Sequence, residues 1–220
     1  MRDNFTPEYT RYLPHFHRPG ATFFVTFRLF DSLPKEFLEQ LTKKYQDQKE
    51  AIVKANPPDK EKQLYFLQRA YFLEFDQALD KCEHGPAWLK EPQAALPVAD
   101  QLNKFDGEFY KLIGYTIMPN HAHTILDFSI QLKPDGSVDV AAYKNLDYVM
   151  DRVKGASARF ANLALDRTGQ TFWQAGYHDR YVRDQKHMVS AVNYLKQNVV
   201  AAKICTHWMQ HPFTWVREGW

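Results

Sequence analysis

A chain of 220 residues with 45% hydrophobic and 15% aromatic side chains can bury a substantial core, which excludes an intrinsically disordered protein. The net charge is only +2, yet residues 1–35 carry +2, 36–149 carry −5 and 150–220 carry +5, so two basic ends that meet in space would offer a weak face to polyanions. Cys82 and Cys205 are too few for a disulfide framework or a zinc ribbon and are expected as buried free thiols; no apolar run reaches transmembrane length and the N-terminal residues lack a signal-peptide core, so a cytoplasmic protein with no membrane role is expected.

Residues 21–29, rich in aromatic and β-branched side chains, read as a central strand that Ser32-Leu33-Pro34 stops. Residues 35–54 and 59–81 read as two helices broken at Asn56-Pro57-Pro58, a hairpin inserted after the first strand. The proline-bearing stretch 81–97 reads as loop, and a short helix is expected over 97–105. Strands over 108–119 and 121–128 join tightly at Pro119-Asn120. A polar loop follows over 129–141. A helix over 143–165 would bury Leu146, Val149, Met150, Val153, Ala156, Phe160 and Leu163 on one stripe. A strand over 172–183 and a helix over 184–202 complete the pattern. This order predicts an α+β, ferredoxin-like split β-α-β plan with a mostly antiparallel sheet and helices on one face. Residues 1–205 would form one domain, with 35–81 as a helical insertion and 206–220 as a C-terminal tail.

Strand periodicity places His121, His123, Ile125 and Asp127 on one face of residues 121–128. Two imidazoles one strand-step apart can grip one divalent ion. On the helix 184–202, Met188, Ala191, Val192, Leu195, Val199 and Ala202 form the core stripe. Tyr194 and Asn198 lie four apart at its edge, with His187 two turns earlier on the same side. An ion held by two histidines needs a further oxygen donor, which Asn198 can supply, and Tyr194 can supply a phenolate nucleophile. Tyr110, Tyr115, Tyr177 and Tyr181 compete for that role. Such a group describes metal-assisted transesterification of a phosphodiester, leaving a phosphotyrosine and a free hydroxyl.

Three blocks then carry a resemblance. Met118-Pro-Asn-His-Ala-His123 resembles the His-hydrophobic-His signature of the single-tyrosine HUH transposases. Phe172-Trp-Gln174, Tyr177-His-Asp-Arg-Tyr-Val-Arg183 and Tyr194-Leu-Lys-Gln-Asn198 resemble the closing block of the REP-associated tyrosine transposases. Arg11-Tyr-Leu-Pro-His15 and Thr22-Phe-Phe-Val-Thr-Phe-Arg-Leu29 resemble their opening block. The resemblance implies an HUH domain that nicks and rejoins single-stranded DNA beside hairpins through a 5′-phosphotyrosine, as a monomer or homodimer. It implies His121, His123 and Asn198 as ligands of Mg2+ or Mn2+ and Tyr194 as nucleophile. Where such proteins follow the asparagine with proline, this chain has Val199. A domesticated protein that binds hairpin DNA without cutting it therefore stays open.

Lys154, Arg159, Arg180 and Arg183 are candidate phosphate contacts, and Asp179 a candidate to orient an arginine or a histidine. His15-Phe-His17, a second His-x-His, precedes Arg18-Pro-Gly20 and is read as a loop or DNA contact. Amidohydrolase barrels also place His-x-His on a strand, but they need an eight-stranded frame that this chain is too short to build.

Overall fold

The structure, a computed structural model, describes residues 18–220. The Arg11–His15 motif and the His15-Phe-His17 pair lie outside the described residues. Alternating side chains in β1 (Thr22–Arg28) send Phe23, Val25 and Phe27 to one face of the sheet and Phe24 and Thr26 to the other. Two helices follow, α1 (Lys35–Ala55) and α2 (Lys60–Asp80). Asn56 caps α1 in the left-handed conformation (φ 43°), and the two prolines after it prevent the helix from continuing. Next come α3 (Pro92–Lys104), β2 (Lys111–Ile117), β3 (His121–Asp127), α4 (Leu146–Ala164), β4 (His178–Val182), α5 (Gln185–Ala201) and β5 (Thr214–Val216).

The sheet runs β4-β1-β3-β2-β5 and every neighbouring pair is antiparallel. The first four strands have the ferredoxin-like order, and the α1–α2 hairpin is inserted between β1 and α3. The segment expected as a tail supplies β5, which covers the β2 edge. Among the described residues, no helix is long and apolar enough to cross a membrane.

Helices cover both faces of the sheet, not one. On one face, Ala94, Ala95, Val98 and Leu102 of α3 and Val149, Met150 and Val153 of α4 pack on Phe23, Val25, Phe27, Ala122 and Leu126. On the other, Met188, Ala191, Val192 and Leu195 of α5 pack on Phe24, Ile113 and Ile125. The register shifts between Leu112 and Gly114, so β2 bulges under α5. A Cβ on Gly114 would meet the Trp215 carbonyl oxygen at 2.9 Å and Leu195 Cδ1 at 3.2 Å, so only glycine lets β5 and α5 approach this closely. The hairpin has its own small core of Leu33, Leu41, Phe75 and Leu79.

Three expectations shift. Helix α3 starts at Pro92, because proline suits a first helical position, and the internal Pro97 is accommodated. Strand β4 spans only five residues; Trp173 makes an isolated bridge to Leu29 before the chain turns at Gly176. The buried stripe of α4 rotates towards Ser157 and Ala161, leaving Phe160 and Leu163 exposed, because α4 packs closely on α3 and Ser157 accepts a hydrogen bond from Trp173 Nε1 (3.0 Å). Cys82 and Cys205 are free and half-buried.

Candidate metal centre and its tyrosine

Strand alternation in β3 directs His121 and His123 to the α5 face, and both are wholly buried. Their Nε2 atoms stand 2.9 Å apart. Neighbouring side chains fix which nitrogen of each ring carries the hydrogen. Asn120 Nδ2 donates to the Leu79 carbonyl (3.3 Å), which leaves Asn120 Oδ1 facing His121 Nδ1 at 2.7 Å. An amide oxygen only accepts, so His121 Nδ1 donates. Thr26 lies opposite His123 in the β1–β3 register, with Oγ1 2.8 Å from His123 Nδ1. Its single hydrogen is donated to Asp76 Oδ1 (3.4 Å), so His123 Nδ1 in turn donates to Thr26. Each ring then keeps its Nε2 lone pair for the space between the rings. Burial, then the neighbouring His121, hold the His123 pKa down at about 4, so this ring is neutral at neutral pH.

The third member comes from the inserted hairpin. Asp80, the last residue of α2, places Oδ1 3.3 Å from His121 Nε2 and 3.8 Å from His123 Nε2. One ligand atom from each of the three residues falls within 4.8 Å of the others. Asp80 Oδ1 is buried and has no hydrogen-bond partner among the described residues. A carboxylate oxygen without a hydrogen bond, facing two imidazole lone pairs, is a donor set that a divalent cation satisfies. The buried Asp80–His121–His123 group can thus hold a metal ion.

Tyr194 stands on α5 one helical turn before Asn198. Its hydroxyl donates to Asp80 Oδ2 at 2.9 Å, and its ring meets His123 at 5.3 Å and Phe24 at 5.7 Å between centroids. Burial, with the nearby Asp76 and Asp80 charges, pushes its pKa far above the ordinary phenol value. Asn198 is buried, and neither Oδ1 nor Nδ2 has a hydrogen-bond partner among the described residues. Two faces of α5 are therefore occupied, one by the apolar stripe and one by this polar pair.

Arg180 places an η nitrogen 3.6 Å from Asp76 Oδ2 and its guanidinium over the Phe24 ring at 4.7 Å. Asp76 is buried, and burial raises its pKa to about 7 against the pull of Arg180. Arg183 lies over Tyr65 at 3.8 Å. Lys154 is half-buried and donates to the carbonyls of Gln174 (2.7 Å) and Gly176, so it ties α4 to the segment before β4. Arg159 is exposed on α4. Asp179 pairs with Val25 in register, on the face opposite the histidines. Tyr194, Asp76, Arg180, Arg183 and His187 all line a cleft of about 720 Å³ between α2 and the β4–α5 side. Sequence reasoning missed Asp76, Asp80, Thr26 and the role of Asn120. The available signal was the Asp76/Asp80 pair at helical spacing and the carboxamide next to His121.

No family model matches the sequence, and no curated protein matches it. Among solved structures, that of a REP-associated tyrosine transposase bound to a REP hairpin aligns with 92% of this chain and 80% of its own, at 14% identity and a TM-score of 0.46.

Proposed function

We propose that this protein is a metal-dependent enzyme that nicks and rejoins single-stranded DNA beside hairpins, with Tyr194 as nucleophile and a 5′-phosphotyrosine intermediate. One observation carries the reading: a single carboxylate, Asp80, faces the paired imidazoles with one oxygen and accepts the Tyr194 hydroxyl with the other. The order of the sequence blocks around His121, His123, Tyr194 and Asn198 supports it independently.

His121, His123 and Asp80 would hold the ion, with the unpartnered Asn198 oxygen as a further donor, and Mg2+ or Mn2+ suits that mixed nitrogen and oxygen set. The ion would offset charge on a non-bridging phosphate oxygen and favour the phenolate. Asp80 Oδ2 holds the Tyr194 hydroxyl and receives its proton as the Oη–P bond forms. The P–O3′ bond breaks, and that oxygen departs as a hydroxyl once reprotonated. Reversal of these steps rejoins the strand. Arg180, already in the cleft, can meet a phosphate.

The test is a labelled single strand containing a hairpin, incubated with the protein and Mn2+ and resolved under denaturing conditions. A covalent adduct is expected from the natural protein and none from Tyr194→Phe. An equal adduct from Tyr194→Phe would assign the attack to another tyrosine. No adduct from the natural protein, with hairpin binding intact, would mark a DNA-binding protein without cleavage.

A further inference from the structure

Along α2, Tyr65, Arg69, Phe72, Asp76 and Asp80 recur every three or four residues and so share one stripe. Asp80 reaches the ion site, and Asp76 accepts from Thr26 behind His123. The first three line the cleft opposite the β4 margin and the first half of α5. From Tyr65 to Asp76 the α2 residues that line the cleft run about 16 Å at the helical rise, and Tyr194 lines the same elongated groove.

Rings and cations alternate on its walls. Tyr65, Tyr71 and Phe72 come from α2, and Tyr177 and Tyr181 from the opposite side. Arg69, Arg183 and Lys186 make no ion pair among the described residues and are exposed. Three acids line the groove among the described residues, Asp76, Asp179 and Asp184: Asp76 faces Arg180, and Asp184 caps α5 by accepting from the His187 backbone N–H at 2.8 Å. Burial, then the Arg180 and Arg183 charges with Asp184 opposing, hold the His187 pKa below its ordinary value. Arg183 stacks on Tyr65 across the mouth, so α2 and the end of β4 already meet through a cation and a ring.

We propose that this groove, walled by the inserted hairpin, is a binding site for unpaired nucleotides flanking the phosphodiester that Tyr194 attacks. Tyr65 and its neighbouring rings stack on bases, and Arg69, Arg183 and Lys186 meet phosphates. Bases stacked inside a duplex cannot offer their faces to such rings, so the site selects single strands. An acidic peptide would satisfy the cations but not the rings. The inference rests on the proposed reaction only for the strand's destination, since binding requires neither metal nor attack.

The test uses the full chain in EDTA, with anisotropy of a short fluorescein-labelled oligothymidylate, and polyglutamate and a duplex of equal length as competitors. The double variant Tyr65→Ala/Arg183→Ala should weaken oligothymidylate binding roughly tenfold or more, given the usual worth of one stacked base. Tyr65→Phe keeps the ring and should bind as the natural protein does. Affinity in the double variant equal to that of the natural protein, with an unchanged melting temperature, overturns the proposal. So does displacement of the oligonucleotide by polyglutamate as readily as by unlabelled oligothymidylate. The outcomes separate from those for cleavage: ring-dependent binding without a Tyr194 adduct sinks the nicking reaction alone, and an adduct with ring-independent binding sinks the groove alone.

Discussion

Tyr194 donates its hydroxyl to Asp80 Oδ2 at 2.9 Å, although 114 positions separate the two in the chain. The other oxygen of the same carboxylate lies 3.3 Å from His121 Nε2. Three elements, α2, β3 and α5, are thereby joined through one side chain.

Asp80 should accordingly contribute to cation affinity. Asp80→Ala is expected to weaken Mn2+ binding, measured by calorimetry, roughly tenfold or more, and His121→Ala should abolish it. Saturating Mn2+ should raise the melting temperature of the natural protein and leave that of His121→Ala unmoved. Unchanged affinity in Asp80→Ala would remove the carboxylate from the ligand set.

The groups behind the imidazoles should matter nearly as much. Thr26→Val deletes the acceptor for His123 Nδ1–H, and Asn120→Ala deletes that for His121. Each is expected to lower Mn2+ affinity by about 10- to 100-fold, the usual cost of losing such support. Affinity within twofold of the natural protein in both variants, a margin set at about measurement error, would show that packing alone fixes the rings.

Asp76 should impose a pH dependence on stability. Its pKa rises from 3.8 to about 7 on folding, chiefly through burial, with Asp80 adding and Arg180 and Thr26 opposing. Between these values the folded chain retains a proton that the unfolded chain has lost, so stability falls as pH rises from about 4 to 7 and levels off above. Asp76→Asn should remove that slope, gaining on the natural protein by up to about 4 kcal/mol near neutrality. Denaturant midpoints across this range check it. A constant difference between the two proteins would show that Arg180 keeps Asp76 ionised throughout.

Gly114→Ala tests the close approach of β5 and α5 to β2. The added methyl would meet a carbonyl oxygen at 2.9 Å, and backbone cannot yield cheaply. A loss of about 1–3 kcal/mol is expected in denaturant unfolding. A neutral substitution would show that β5 can lift away without cost.

Much of this was legible from periodicity. The alternation of His121, His123 and Ile125 put both rings on one face, and the spacing of Met188 to Val199 gave the buried stripe of α5. Asp80 was not legible, because acids in a Lys- and Glu-rich helix look like solvated charge until the hairpin is folded back on β3. Strand β5 escaped because three residues, Thr214–Val216, are too few to show alternation. The turn of α4 towards Ser157 depended on the neighbouring helix, which a single stripe cannot encode.

With β5 laid along β2, the sheet has two margins among the described residues, the three-residue β5 on one side and the five-residue β4 on the other. The β4 margin also borders the groove. A partner strand added at β4 would obstruct the route to Tyr194, so growth of the sheet on that side and open access to the tyrosine exclude one another.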